Sequence, residues 1–296
     1  MDKSENKTRL FILAGILIIT FLVYTKSFNN GILWGWDDGE YLEDKHISEL
    51  SLQNTGNYFS NYYLGMYQPV SVLTIALNFK FSGTNPAPYH ATNVFLHLIN
   101  IVLVFLIANR LTGKQVIAGF AALVFAIHPM NVESVAWIAA RSTPLFTLFY
   151  LGSLLSYLKY QENKSQKHYF IALALFILSL FSKSMAITLP LVLILLDYLK
   201  SGSIPRKAFV DKIPFLLLSF IFGMVTIDAA KTFGHLEGME YSFSFINRLF
   251  ILSYVFVLYL FKFFVPVKLS VIYGFPEEGA SWLPVEYYLS IIIPAA

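Results

Sequence analysis

Cysteine does not occur in this sequence. Its absence excludes disulfides, a thiolate nucleophile and thiolate metal ligation. Charge is nearly as scarce: 13% of the residues are Asp, Glu, Lys or Arg, about half of the roughly 25% usual in soluble domains. That shortage excludes an ordinary water-soluble globule. The net charge of +3 is too small to mark a nucleic-acid partner. The chain shows no internal repeat, no low-complexity tract and no polar stretch long enough to form a soluble domain. No small-residue A-x-A cleavage site follows the basic Met1–Arg9 and apolar Leu10–Tyr24 segments, so this start reads as a retained signal anchor.

What is present is apolar and aromatic. Hydrophobic residues make up 56% of the chain, including 28 Phe and 18 Tyr, and the mean hydropathy is +0.61. Repeated apolar runs of 15 to 20 residues predict an all-α polytopic membrane protein, because in lipid a single segment satisfies its backbone only as a helix. Spans are expected at 10–25, 91–108, 116–128, 143–160, 168–182, 184–199, 213–230 and 245–264, with another starting near 286. The run 168–199 would be about 48 Å long as one helix, so two spans are expected to meet at Ser182-Lys183-Ser184.

Pro69–Phe81 is ambiguous. As a helix it reaches about 20 Å, short of a hydrocarbon core of about 30 Å. Loop charge decides. With 69–81 lying along the outer surface, 14 of the 21 Lys and Arg residues fall on the inner side, and if it spans, the bias reverses. The positive-inside rule therefore favours an amphipathic surface helix. The non-cytoplasmic face then receives an acidic 26–90 loop and the shorter loops around His128–Arg141, Lys183 and Lys231–Tyr241. The whole of 1–296 reads as one membrane domain, and its end inside an apolar run (Ile291 to Ala296) is expected of a C-terminally truncated chain.

The polar residues on that face define the candidates. Asp37-Asp38 stands between Trp34, Trp36 and Tyr41. Adjacent carboxylates repel, which raises one pKa and suits a general base; Asp-Asp-Gly is equally good turn chemistry. A divalent cation held by the pair is possible chemistry, since paired carboxylates suit hard ions. His90, Asn93, His97 and Asn100 fall within about 80° on one helix face. His97 and Asn100 are expected to bond neighbouring helices, while His90 and Asn93 lie near the outer surface within reach of substrate. A two-histidine metal site is not expected, because His90 and His97 would be about 10 Å apart along the axis. Past Pro129, residues Glu133, Trp137 and Arg141 are spaced four apart and are expected on one face of a helix. The plain reading there is interfacial anchoring with Arg141 snorkelling. Lys183 is a lone cation suited to a lipid headgroup or a bound phosphate.

Taken in order, Trp36-Asp37-Asp38, Tyr67-Gln68-Pro69-Val70-Ser71-Val72-Leu73-Thr74, Pro88-Tyr89-His90 with Asn93 and His97, His128-Pro129 with Glu133-Ser134-Val135-Ala136, and Leu180-Phe181-Ser182-Lys183-Ser184 resemble membrane glycosyltransferases of the GT-C superfamily. The similarity is closest to the protein O-mannosyltransferase-like family that joins transmembrane helices to tetratricopeptide repeats. It covers roughly 34–200; the repeats are absent here, and Gln68 and Ser184 stand where the family usually has a basic and an acidic residue. The resemblance implies a GT-C-type helical bundle with juxtamembrane helices in the 26–90 loop. It implies a polyprenyl-phosphate sugar donor and a protein, lipid or glycan acceptor, joined by inverting displacement. Carried over residue by residue, Asp37 or Asp38 is the base, Arg141 and Lys183 hold the donor phosphate, and His90, Asn93, His128 and Glu133 line the cleft. A bacterial inner membrane with an outward-facing site is the expected setting. The rival class is a transporter or flippase, but no inverted halves are visible and the chemistry gathers in loops rather than at mid-bilayer.

Overall fold

In the structure, a computed structural model, residues 3–203, 209–234, 243–274, 276 and 282–295 are described. They form helices and turns with no strand; the nearest approach is a single bridge between Tyr63 and Met66. The chain divides into two compact units, 1–233 and 234–296.

The first unit opens with α1 (Lys3–Tyr24) and then four short helices: α2 (Asp37–Glu43), α3 (Lys45–Ser48), α4 (Leu52–Ser60) and α5 (Pro69–Ser82). Caps set their starts. The Asp44 carboxylate accepts the His46 N–H at 2.7 Å and the Ser51 hydroxyl accepts the Asn54 N–H at 3.1 Å. Long helices follow: α6 (Ala87–Thr112), α7 (Gln115–Ile127), α8 (Val132–Ala136), α9 (Ser142–Asn163), α10 (Gln166–Ser182), α11 (Leu189–Ser201) and α12 (Ile213–Thr232). Gly113 and Gly202, both left-handed at φ 66° and 68°, close α6 and α11 where a Cβ would be strained.

Five described helices are long and apolar enough to cross a membrane: 7–29, 87–112, 184–201, 213–232 and 245–264. The helices 115–127 and 129–136 are long and apolar enough only when taken together, and they meet at 51°, the geometry of a broken span or of a re-entrant loop. The short run at 116–128 is followed by a bend at Pro129, which supplies no amide hydrogen to continue the helix. The expected break at Lys183 is also present. Its extended backbone ends α10 and a 3-10 turn, Ser184–Thr188, starts the next crossing. The chain reverses there, because Lys183 meets Thr143 at the start of α9 while Asp197 meets Gln161 near its end.

Helix packing follows membrane rules, in which small residues allow close approach. Ala118, Gly119, Ala122 and Ala126 of α7 are placed against α1 and α6 in one core, and a Cβ on Gly119 would stand 2.8 Å from Ile12 Cγ2. A second core joins α9, α10, α11 and α12 through Tyr157, Phe176, Leu189 and Phe215, with Phe176 and Phe215 rings 5.4 Å apart. The third caps the site end of the bundle and is built from α2–α5, Tyr89, Ile138 and Ala139. Here α5 departs from expectation. It is not one of the spanning helices, but neither is it amphipathic: Val72, Ile75 and Ala76 are buried in the cap while Leu77 and Phe81 are exposed. A helix with protein on one side and lipid on the other has no reason to carry a polar face.

The second unit holds α13 (Phe245–Phe264), α14 (Val285–Leu289) and α15 (Ile292–Ala295). Ile251, Leu283 and Tyr287 form its small core, and Tyr254 stacks on Tyr287 at 4.0 Å.

Candidate functional site

The site is assembled at the end of the first unit where α2 meets the segment Trp137–Arg141. Asp37 and Asp38 open α2, where the helix dipole favours negative charge. Their surroundings differ. Asp38 is 1% exposed, and its two carboxylate oxygens accept the N–H of Ala139 at 2.8 Å and of Leu33 at 3.1 Å. Burial pushes its pKa up, and the two N–H bonds and the neighbouring His90 partly offset that. Asp37 is half-buried, and among the described residues its carboxylate makes no hydrogen bond or ion pair. The pair therefore separates into one fully engaged acid and one free acid. No group of three potential His, Cys, Asp or Glu ligands occurs among the described residues.

Gly39 shows how tightly α2 is seated: a Cβ there would lie 2.3 Å from the Trp34 carbonyl oxygen. The chain between Leu33 and Trp36 folds back over the helix start, and the Trp36 ring meets Trp137 edge-on at 6.0 Å.

Arg141 is 0% exposed. Its Nε donates to Asn93 Oδ1, Nη1 to Asn78 Oδ1 at 2.8 Å, and Nη2 to the Tyr89 carbonyl at 2.9 Å. Snorkelling is thus overturned; the guanidinium is buried and bonded on three edges to neutral oxygens. Burial lowers its pKa to about 9, which leaves it a cation at neutral pH. The expectation that Glu133, Trp137 and Arg141 share one helix face is also corrected. Helix α8 stops at Ala136, Trp137 is extended (φ −98°, ψ 131°), and Arg141 belongs to a separate 3-10 turn, Ala139–Arg141. The turn follows because the Asp38 carboxylate takes the Ala139 N–H and Asn93 Nδ2 donates to the Trp137 carbonyl at 2.8 Å. Neither contact is readable from a four-residue period.

Asn93 is thereby engaged at both ends of its amide. His90 is 2% exposed and lies within electrostatic reach of Asp38 and Arg141. Its ring stands near the carbonyls of Asn30 and Ala136 without meeting hydrogen-bond geometry with either. His97 and Asn100 behave as expected of helix-packing groups, donating to the carbonyls of Ala126 (2.9 Å) and Pro144 (2.8 Å). His128 caps the 3-10 turn after it, its Nδ1 accepting the Met130 N–H at 3.3 Å.

Lys183 and Glu133 remain accessible. Lys183 is half-buried and donates to Thr143 Oγ1 at 2.8 Å; burial lowers its pKa, and the exposed Glu133 carboxylate partly restores it. From Ala139, which binds Asp38, to Thr143, which binds Lys183, the chain advances four residues of helical backbone, about 6–8 Å. Beside Lys183 a groove of about 630 Å³ is lined by Phe146, Tyr150, Met185, Ile187, Gly223 and Ile227, together with Thr147, Ser184, Thr188 and Thr226. Sequence reading missed this groove. Its walls come from α9, the 184–188 turn and α12, and only Lys183, next in the chain to Ser184, stands out in the primary structure.

Residues 68–227, more than half of the chain, match the family model described as dolichyl-phosphate-mannose-protein mannosyltransferase. The chain is 29% identical to the Drosophila melanogaster protein O-mannosyl-transferase Tmtc1 over 214 residues, covering 67% of this chain and 24% of that protein. It is 27% identical to a Caenorhabditis elegans protein O-mannosyl-transferase over 295 residues, covering 92% of this chain and 40% of that protein. It is 39% identical to the human protein O-mannosyl-transferase TMTC1 over 92 residues, covering 31% of this chain and 10% of that protein. The chain thus spans well under half the length of these relatives. No solved structure matches it at a significant level.

Proposed function

The chain belongs to the dolichyl-phosphate-mannose-protein mannosyltransferase family, and from that premise we propose that it is a membrane glycosyltransferase. It moves a mannose-like sugar from a polyprenyl-phosphate donor to an acceptor hydroxyl, a protein serine or threonine foremost, on the non-cytoplasmic face. The observation that carries the reading is an apolar groove whose lining residues Ser184 and Thr147 stand next in the chain to Lys183 and one helical turn on from its partner Thr143. A cation beside an apolar groove is complementary to an amphiphile with a phosphate head and a hydrocarbon tail. The sidedness is supported by the basic residues Arg110, Lys159, Lys164 and Lys200 at the opposite ends of the helices.

In this reading the polyprenyl chain lies in the groove and its phosphate meets Lys183, which Glu133 helps to keep protonated. Asp37, the free carboxylate, accepts the proton of the acceptor hydroxyl. The hydroxyl oxygen then attacks the anomeric carbon, the bond from that carbon to the phosphate oxygen breaks, and the phosphate departs with the electron pair. The anomeric centre inverts. Lys183 stabilises the charge that grows on the leaving group, and no metal step is invoked. The transporter reading gains nothing from the site, because the mid-helix polar groups His97 and Asn100 are bound to backbone carbonyls.

The test uses the protein in proteoliposomes with a polyprenyl-phosphate mannose donor and a threonine peptide acceptor. Asp37→Asn is expected to lower kcat by about 10³-fold, within the range of 10²–10⁴ that a positioned general base contributes. Full turnover by Asp37→Asn in folded protein removes Asp37 as the base.

A further inference from the structure

Two charges are buried at the site end without an opposite charge to pair with. Among the described residues neither Asp38 nor Arg141 enters an ion pair, although they are 1% and 0% exposed. A lone buried charge is costly unless hydrogen bonds replace its hydration. Here they do, and their partners fall in one place. The Asp38 carboxylate grips the Ala139 and Leu33 amides; Arg141, two residues past Ala139 in the same 3-10 turn, grips Asn93 and Asn78 and the Tyr89 carbonyl. Asn93 returns to the chain through the Trp137 carbonyl. Residues 137, 139 and 141 are thus each bound, and α2, α5 and α6 meet on one short segment.

This arrangement is ill suited to direct chemistry. Arg141 and Asp38 are buried, with every guanidinium nitrogen and both carboxylate oxygens already bonded, so a phosphate or a hydroxyl reaches either only by opening the packing around it. It is well suited to geometry. The first turn of α2 is tied down by Asp38, is pressed against the Trp34 carbonyl at Gly39, and abuts Trp137 through Trp36. That turn carries Asp37.

We propose that Asp38 and Arg141, which meet on the 137–141 segment with Arg141 braced by Asn93 and Asn78, are positioning residues that form a buried clasp and set the placement of Asp37 against the donor site. The clasp goes beyond the glycosyltransferase reading and rests on it for the role of Asp37. It replaces a direct phosphate contact by Arg141 and a base role for Asp38. At a positioning residue shape outweighs charge, whereas at a base charge outweighs shape.

The experiment compares kcat, donor KM and the pH–rate profile of Asp37→Asn, Asp38→Asn, Arg141→Lys and Arg141→Ala in proteoliposomes, with thermal unfolding followed alongside. Asp38→Asn keeps the shape and one acceptor, so kcat is expected to fall about tenfold with donor KM within twofold and the acidic limb of the profile retained. Arg141→Lys keeps the cation but loses the planar fork; it is expected to behave like Arg141→Ala, with kcat lowered 10- to 100-fold and donor KM unchanged. Asp38→Asn as inactive as Asp37→Asn in folded protein, or without the acidic limb, overturns the clasp. So does a donor KM raised by Arg141→Ala and restored by Arg141→Lys, the signature of a phosphate contact. Where these variants do not fold, Asn78→Ala removes one Arg141 acceptor: a several-fold loss of kcat at constant donor KM supports the clasp, and the reverse pattern overturns it. An active Asp37→Asn instead defeats the base assignment, a result separable from all of these.

Discussion

The bundle buries charge at both ends and treats it differently. At the end away from the site, Lys212 and Asp197 form a closed ion pair: Lys212 is 0% exposed and its Nζ binds the Asp197 carboxylate and the Tyr157 hydroxyl. Tyr157 in turn donates to Asp197 Oδ1 at 2.8 Å, and Gln161 donates to the same oxygen. Charge meets charge, the local field largely cancels, and α9, α11 and the start of α12 are pinned together. At the site end Asp38 and Arg141 are as deeply buried but are held apart, each by neutral partners. Their charges are not cancelled, and their bonds fix short segments rather than long helices. A closed pair serves stability, while separated and individually bonded charges keep oriented dipoles around an acid, the arrangement that a reaction with developing charge requires.

The sharpest way to break this contrast is at Lys212. Lys212→Met leaves the Asp197 carboxylate buried and unpaired and is expected to destabilise the protein by about 3–5 kcal/mol, read as a shift in unfolding. Turnover per folded molecule is expected to stay at the wild-type value. Adding Asp197→Leu removes the orphaned charge and is expected to recover most of the stability. A turnover change in the folded double variant would mean that the two ends are coupled, and the division of labour would fail.

A smaller effect is expected at the groove. Gly223 lines it, and a Cβ there meets nothing within 4 Å, so a larger side chain grows into open space rather than into protein. Gly223→Phe is expected to raise the KM for a long polyprenyl donor about tenfold, near 1.4 kcal/mol, with unfolding unchanged. A donor with a short tail is expected to be spared, and equal losses for both donors would remove the groove from the donor site.

The smallest expected effect concerns pH. Burial lowers the Lys183 pKa, so the amine sheds its proton at a lower pH than an ordinary lysine. Donor binding needs the cation, so donor KM is expected to rise several-fold on the alkaline side, starting below the usual lysine range near 10.4. Glu133→Gln removes the charge that supports the ammonium and is expected to move this limb to lower pH. Lys183→Arg is expected to abolish it. A limb that stays in place in both variants reports some other group.

How much of this was legible in the primary structure differs from element to element. Five of the expected crossings, the break at Lys183, the non-spanning helix at Pro69–Ser82 and the helix-packing roles of His97 and Asn100 followed from run length, loop charge and helical period, all properties of neighbours in the chain; the runs at 143–160 and 168–182 and the one from 286 form helices that are not among the described helices long and apolar enough to cross. The gathering of Asp37, Asp38, His90, Asn93 and Arg141 at one end was legible as motif order. What each does there was not. Arg141 looked like a surface cation because it follows an interfacial tryptophan, and its acceptors Asn93 and Asn78 lie 48 and 63 positions away.

Local chemistry by itself therefore determined that this chain is a helical membrane protein and which of its ends carries the concentrated carboxylates. A backbone in lipid must satisfy itself within each helix, and that demand is written in consecutive residues. Only the tertiary structure decided which aspartate is free, which cation is reachable and where an apolar groove opens beside it. Adjacent aspartates carry the same letter in the sequence. They became different acids when Ala139, 101 positions further on, brought its amide to one of them and left the other without a partner among the described residues.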